Sequence, residues 1–315
     1  MSEGRSSSAK GKFEALVCTN RQIGPGFHRL KLEFTQDGAT AFANFEPGQF
    51  AQFDLSNTAL PSPDAIPQEL RDASSRKILL RRPFSFAEVI TEGDKTFAEL
   101  LYCVVGPVTV RMTTLSAGDR IDIIGPLGRG YRIPAGKKTV LLVGGGMGTP
   151  PLQHLAQSLT ECDGGIEVVS LAGAKTAEAL PFEGRLDEIS QTLGFSVPEF
   201  AKYGIESIVA TDDGSAGYHG LVTDCLAEWL KESDISFDDI IICACGPEPM
   251  LARVAQIADE KNIDCQVSME RRMACGIGLC QSCAVECKLD DSNETVYKMC
   301  CQDGPVFDAK EVVFS

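Results

Sequence analysis

The sequence predicts three units in series: an antiparallel β-barrel or sandwich, a Rossmann-like doubly wound α/β layer, and a small C-terminal unit rich in cysteine. Three observations carry this. Runs of β-branched and aromatic residues, such as FEALVC, FHRLKLEF and QFAQFDL, are broken by Gly and Pro in the first part of the chain, as in an all-β unit. From Lys137 onward, apolar runs alternate with helical patterns. From Cys265 onward, Cys and Gly crowd a segment with little apolar periodicity. A chain of 315 residues with 43% hydrophobic content has room for more than one such core.

Residues 1–11, MSEGRSSSAKG, are polar and aperiodic and read as a disordered tail. The first folded unit spans 12–136. Within it LSNTALPSPDAIPQELRDASSR, Leu55 to Arg76, is an excursion between strands, because three prolines interrupt it and no apolar period runs through it. The α/β unit spans 137–264. Its buried parallel strands are TVLLV, IEVVSL, IESIVA and IIICA, and helices such as that carrying Met250, Leu251, Val254 and Ile257 alternate with them. The last unit spans 265–315 and is too loop-rich to hold much core alone.

With 29 basic and 44 acidic residues the formal charge is -15, which disfavours nucleic acid or an anionic membrane as a main partner. The polar start is no secretory signal, and no apolar run reaches the ~20 residues that span a bilayer. A cytoplasmic protein is expected, and there clustered thiols more often bind metal than form disulfides.

Cys275, Cys280 and Cys283 have the C-x4-C-x2-C spacing of plant-type [2Fe-2S] proteins, which a more distant cysteine completes. Gly276 and Gly278 let the loop wrap closely and aim N–H groups at sulfur. A zinc clip is the competing reading, but structural zinc usually draws on two similar pairs of ligands. Spacing alone leaves Cys287, Cys300 and Cys301 as downstream candidates. Cys287 reads as a buried strand residue, whereas Cys301 precedes an Asp-Gly-Pro turn that could fix a thiolate. Cys18, Cys162 and Cys225 are scattered and read as structural.

TVLLVGGGMGTPPL, from Thr139 to Leu152, is a buried strand followed by four glycines and a helix opened by Pro150 and Pro151. Gly144, Gly145, Gly146 and Gly148 would let a phosphate approach the backbone at a helix N-terminus, although Thr149 breaks the strict G-x-G-x-x-G form. CACGPEPML places Cys245, Gly246 and Pro247 at the carboxyl edge of the same sheet, where ligands of open α/β sheets bind.

RRPFSF, GPLGRGY, GGGMGTPPL, TDDGSAGYHG, CGPEPML, ERRMACGIGLCQSC and CQDGPVF follow one another in the order found in the ferredoxin-reductase superfamily. Within it, residues 12–315 resemble the electron-transfer subunits of NAD-dependent, two-subunit dihydroorotate dehydrogenases. The resemblance implies an FAD-binding antiparallel barrel, an NAD-binding α/β domain and a C-terminal [2Fe-2S] domain. It implies FAD contacts from the R-x-[YF]-S residues: Arg82 at phosphate, Phe84 packed beside the flavin with Pro83 between them, and Ser85 near the reactive ring nitrogen. It places a second FAD segment at LYCVVGPVT. There Leu101, Tyr102 and Thr109 match the family form L-Y-R-V-V-G-K-G-T, whereas Cys103 loses a cation and Val108, after Pro107, replaces a glycine. Phosphate contact at Cys103 and Val108 should therefore be weaker. The resemblance selects Cys301 as the fourth cluster ligand.

The same resemblance implies a relay with no general acid or nucleophile. Hydride passes between nicotinamide and flavin, and single electrons pass through the cluster. The implied partner is an FMN-containing catalytic subunit that oxidises dihydroorotate in pyrimidine (UMP) biosynthesis, two of each subunit forming a heterotetramer. His28, His154 and His219 receive no catalytic role. The alternatives are a subunit of an NADH-dependent ferredoxin:NADP oxidoreductase or sulfhydrogenase, and a zinc-stapled nucleotide-binding regulator without redox function. NAD is favoured over NADP by the resemblance alone, since no acidic residue stands clearly after the second α/β strand and Lys175 there could meet a 2′-phosphate.

Overall fold

The computed structural model describes residues 10–161, 165–183, 197–289 and 294–314. Cys162 lies outside the described residues.

Seven strands build the first unit: β1 (Gly11–Gly24), β2 (Phe27–Phe34), β3 (Phe50–Asp54), β4 (Arg82–Phe84), β5 (Glu88–Glu92), β6 (Lys95–Cys103) and β7 (Arg120–Leu127). They pair antiparallel in the order β4-β3-β7-β1-β2-β6-β5. Alternate side chains face inward, so Leu30, Leu32 and Phe34 of β2 meet Ala51 and Phe53 of β3 and Ile121 and Ile123 of β7 in one core. Helix α1 (Gln36–Phe42) closes one end, its Phe42 ring stacked 4.0 Å from Phe34. The Leu55–Arg76 excursion contains two 3-10 turns, Pro63–Ala65 and Gln68–Leu70, and the single turn α2 (Arg71–Ser74). It is tied to α3 (Pro107–Met112) by the Arg111 guanidinium, which donates to the carbonyls of Thr58 at 2.9 Å and Ser74 at 3.3 Å.

The second unit is a parallel sheet of β8 (Thr139–Gly145), β9 (Glu167–Ala174), β10 (Glu206–Thr211), β11 (Tyr218–His219), β12 (Ile240–Cys245) and β13 (Asp264–Ser268), in the order β11-β10-β9-β8-β12-β13. Every residue of β12 is buried, as expected of a strand covered on both faces. The strands alternate with α4 (Thr149–Thr160), α5 (Pro198–Ala201), α6 (Val222–Glu232) and α7 (Glu248–Glu260). The order reverses between β8 and β12, so a crevice opens at their carboxyl ends.

The third unit holds the antiparallel pair β14 (Ala284–Lys288) and β15 (Thr295–Met299), followed by β16 (Val306–Asp308), which pairs antiparallel with β13. The expected boundary between residues 264 and 265 thus falls inside β13, and β16 completes the α/β sheet from the C-terminal segment. Pairing of this kind between distant segments leaves no local mark in the sequence. Cys283, Val285, Cys287, Cys300 and Val312 share one core with Leu251 and Val254 of α7 and with Phe50 and Leu127 of the barrel. The three units are therefore packed as one body around the crevice.

Polar groups also join barrel and α/β sheet. Gln157 of α4 exchanges two hydrogen bonds with the Val89 backbone, at 3.2 and 2.8 Å, and the Tyr131 hydroxyl donates to the Ala244 carbonyl at 2.9 Å. Arg29 of β2 reaches Glu99 of β6 at 3.1 Å and Glu199 of α5 at 3.2 Å, with the Glu199 side chain only 4% exposed. Removing the cation would strand a buried carboxylate. Arg29→Met is expected to cost about 3–5 kcal/mol, read as a lowered urea midpoint; an unchanged midpoint would show that the pair contributes nothing.

Candidate functional site

Loop 274–283 is shaped by Gly276 and Gly278, whose φ angles of +70° and +88° suit residues without a Cβ. The turn directs backbone N–H groups at thiols: Ile277 and Cys280 donate to the Cys275 sulfur at 3.5 and 3.4 Å, and Gly278 donates to the Cys301 sulfur at 3.1 Å. Cys275 interacts with Cys280 and with Cys301, and Cys301 with Cys283, so the four thiols gather around one loop. Cys283 and Cys301 are buried, Cys275 is half-buried and Cys280 is exposed. The Cys280 thiol is drawn down to about 6, chiefly by the Ser282 hydroxyl and backbone, whereas burial pushes Cys301 up to about 12.

Among the described residues, no three His, Cys, Asp or Glu side chains converge as the ligands of one ion would. Backbone N–H groups aimed at sulfur, on a C-x4-C-x2-C loop with one remote fourth thiol, suit a two-iron cluster better than tetrahedral zinc held by two similar ligand pairs. Cys287 is fully buried in β14, and the Cys300 thiol donates to the Met269 carbonyl at 3.1 Å. Both are thereby placed in the core.

A cleft of about 370 Å³ opens between barrel and sheet. It brings together Pro83, Phe84 and Ser85 from β4 and its exit, Leu101, Tyr102, Cys103 and Thr109 from β6 and α3, and Cys245 from β12. An apolar wall with a few small hydroxyls fits a planar flavin. Arg82 and Val108 are not in its wall: the Arg82 guanidinium donates to the Leu80 and Arg81 carbonyls, and Val108 packs into the barrel core. The Thr109 hydroxyl accepts from the Val105 and Gly106 N–H groups, and Pro107 opens α3, so the departures from the family form still start a helix. Met273 also lines the cleft, two residues before Cys275, so the wall runs directly into the cysteine loop.

A second cavity, of about 470 Å³, lies at the carboxyl ends of β8, β9 and β10. Gly145, Gly146 and Pro247 line it, and Met147 lines both cavities. Gly146 has φ +51° and open space where a Cβ would stand, which suits close approach of a ligand. The other glycines serve packing, Gly145 included, where a Cβ would lie 2.6 Å from the Met250 sulfur and 2.9 Å from Pro247 Cδ. A Cβ at Gly148 would lie 2.1 Å from the Cys245 carbonyl oxygen, one at Gly144 would meet the Thr149 hydroxyl at 2.5 Å, and one at Gly246 would meet the Met250 methyl at 2.8 Å.

Three charged residues complete this cavity: Lys175, Asp212 and Arg253. The two cations suit the phosphates of a dinucleotide. Asp212 stands directly after β10, beside Lys175: the Asp212 N–H donates to the Ala174 carbonyl at 3.0 Å and the Asp213 N–H to the Lys175 carbonyl at 3.2 Å. The TDDGS stretch held the signal, since an acid directly after a buried parallel strand points to the sheet's carboxyl edge.

Two family models match the chain: the iron-sulfur cluster binding domain of dihydroorotate dehydrogenase B over residues 270–313, and an oxidoreductase NAD-binding domain over residues 142–256. The chain is 37% identical to the dihydroorotate dehydrogenase B (NAD(+)) electron transfer subunit of Geobacillus thermodenitrificans, covering 96% of this chain and 99% of that protein. It is 33% identical to the subunit of the same name from Caldanaerobacter subterraneus, over 96% and 99% of the two chains. Among solved structures, an NADH-dependent reduced ferredoxin-NADP oxidoreductase aligns at TM-score 0.69 and 26% identity, over 95% of this chain and 90% of that one. A ferredoxin NADP+ reductase from Neisseria gonorrhoeae with bound FAD and NADP aligns at TM-score 0.55 and 13% identity, over 84% and 95%, which speaks for the fold alone.

Proposed function

Because the chain belongs to the family of dihydroorotate dehydrogenase B electron transfer subunits, we propose that it relays electrons between an FMN-containing, dihydroorotate-oxidising subunit and NAD. When bound, FAD exchanges hydride with nicotinamide and the [2Fe-2S] cluster carries single electrons. The residues of this chain supply binding, orientation and a dry path.

In this reading Phe84, Ser85, Leu101, Tyr102, Cys103 and Thr109 hold the flavin in the central cleft. Gly146 lets the pyrophosphate approach, with Gly145 beside it in the cavity wall and Arg253 as its cation. Cys245, buried at the carboxyl end of β12, keeps a small thiol against the flavin, and burial pushes that thiol up to about 12, so it stays neutral beside the reacting rings. Met147 stands where the two cavities meet, on the route a nicotinamide takes toward the flavin. Arg82 and Val108 then act through the backbone and core that shape the cleft, and Gly144, Gly148 and Gly246 through packing. Asp212 accepts from the ribose hydroxyls and disfavours a 2′-phosphate.

The observation that carries this reading is the four-thiol loop with backbone N–H groups aimed at its sulfurs, buried on its Cys283 and Cys301 side and exposed at Cys280. Leu279 and Ile277 flank the exposed side of the loop, 79% and 46% exposed, and present an apolar face suited to a partner protein. The resemblance further supports two copies of each subunit, which the mass of the purified complex tests. Among the described residues no helix is long and apolar enough to cross a membrane.

Anaerobically purified protein is expected to show flavin bands, broad iron–sulfur absorption and about two irons per chain. Mixed with the dihydroorotate-oxidising subunit, it should form orotate with NAD reduction, whereas alone it should only oxidise NADH with an artificial acceptor. Zinc without iron, or a mixture that fails to couple orotate formation to NAD, would overturn the proposal.

A further inference from the structure

One buried polar group outside these contacts faces the cysteine loop. In β3, Ala51 and Phe53 point into the barrel core, so Gln52 between them points out of the barrel. It is 0% exposed, and neither its amide nitrogen nor its amide oxygen has a hydrogen-bond partner among the described residues. A fully buried amide with both ends unmatched is rare, and calls for a partner. What it meets is Gly276: a Cβ there would lie 2.2 Å from the Gln52 Nε2, 2.7 Å from Cγ and 2.8 Å from Cδ. Gly276 directly follows Cys275. Across the sheet Gln52 pairs with Pro83, which lines the central cleft. Gln52 therefore stands between the barrel wall of the flavin cleft and the loop that carries the thiols.

We propose that the Gln52 side-chain amide donates a hydrogen bond to sulfur of the iron–sulfur centre on its Cys275 side, and so raises the reduction potential of that centre. The inference rests on the cluster reading above. The two ends of the amide exchange by a half-turn, and only the nitrogen end can pair with sulfur that carries negative charge. Backbone N–H groups of Ile277 and Cys280 already reach the Cys275 sulfur from the loop itself, and Gln52 adds a donor from the barrel side. Reduction adds an electron to the cluster, so each donor to sulfur stabilises the reduced form more than the oxidised one. Gly276 is then required for two reasons, its positive φ and the amide that fills the place of a Cβ.

The test uses the full chain carrying its cofactors. Gln52→Met keeps length and removes the donor; Gln52→Glu keeps shape and places an acceptor at the same point. Iron and sulfide content and the electron paramagnetic resonance (EPR) signal of the unaltered protein come first, and absence of the cluster there would sink the underlying reading and not the assignment of Gln52. With the cluster present, an EPR-monitored redox titration should give a more negative midpoint for Gln52→Met. The expected change is about tenfold in the reduction equilibrium, or about 59 mV for a one-electron couple, and larger for Gln52→Glu. A midpoint unchanged in Gln52→Met would overturn the proposal. In the unaltered protein with isotopically labelled glutamine nitrogen, the reduced cluster should show a nitrogen hyperfine coupling. Absence of that coupling would also overturn it, whether or not the variants retain a cluster.

Discussion

Cys301→Ser is expected to remove the iron–sulfur centre and stop electron passage to the partner subunit while leaving NADH oxidation by an artificial acceptor intact. Cys301 is buried beside Cys283 and receives the Gly278 N–H, so its thiolate completes the inner pair. A serine there offers a hydroxyl that stays protonated near neutral pH and binds iron poorly. Coupled orotate and NADH formation should fall by more than the roughly 10–100-fold typical of losing an outer partner of a metal. Cys300→Ser is the matched control. Its thiol is engaged by the Met269 carbonyl at 3.1 Å, so absorption and coupling should persist with at most some loss of stability. Equal loss in both variants would move the fourth ligand away from Cys301. Flavin-dependent activity surviving in Cys301→Ser separates loss of the cluster from collapse of the fold.

The second large effect concerns the choice of dinucleotide. Asp212→Asn removes the acid at the end of β10 and leaves Lys175 beside the ribose site. Repulsion of a 2′-phosphate then turns into attraction, and a change of ~1.4 kcal/mol is tenfold in affinity. The ratio of kcat/KM for NADH over NADPH should therefore fall by about tenfold or more. Lys175→Ala should move the ratio the other way, because the cation that tolerates the extra phosphate is gone. Steady-state rates with an artificial acceptor read both, free of the partner subunit. A ratio unmoved by Asp212→Asn would place the ribose elsewhere.

Much of this site was legible in the chain because its signals are local. Spacing marks Cys275, Cys280 and Cys283, since a loop that wraps a cluster needs its ligands close in sequence. Gly145 and Gly146 are marked by a strand that ends in glycine before a helix. Signals that depend on strand order were harder to place. Asp212 follows β10 and not the second strand, so only the strand order brings it to the same cavity as Lys175. The phosphate role expected of Arg82 looked equally local, but its guanidinium folds back onto carbonyls of its own segment. For Gly144, Gly148 and Gly246, sequence could not tell a ligand cradle from close packing, since both need the same missing side chain.

The sequence by itself determined the succession of β, α/β and cysteine-rich units, the cofactor-bearing motifs and the family, because each is written in contiguous residues. Tertiary structure decided how those pieces face one another. It placed β16 on the edge of the α/β sheet, buried Cys283 and Cys301 while leaving Cys280 exposed, and set an unmatched Gln52 against Gly276, more than two hundred residues away in the chain. The physical reason is that strand alternation fixes which way a side chain points, but only the packing of distant segments fixes what it meets.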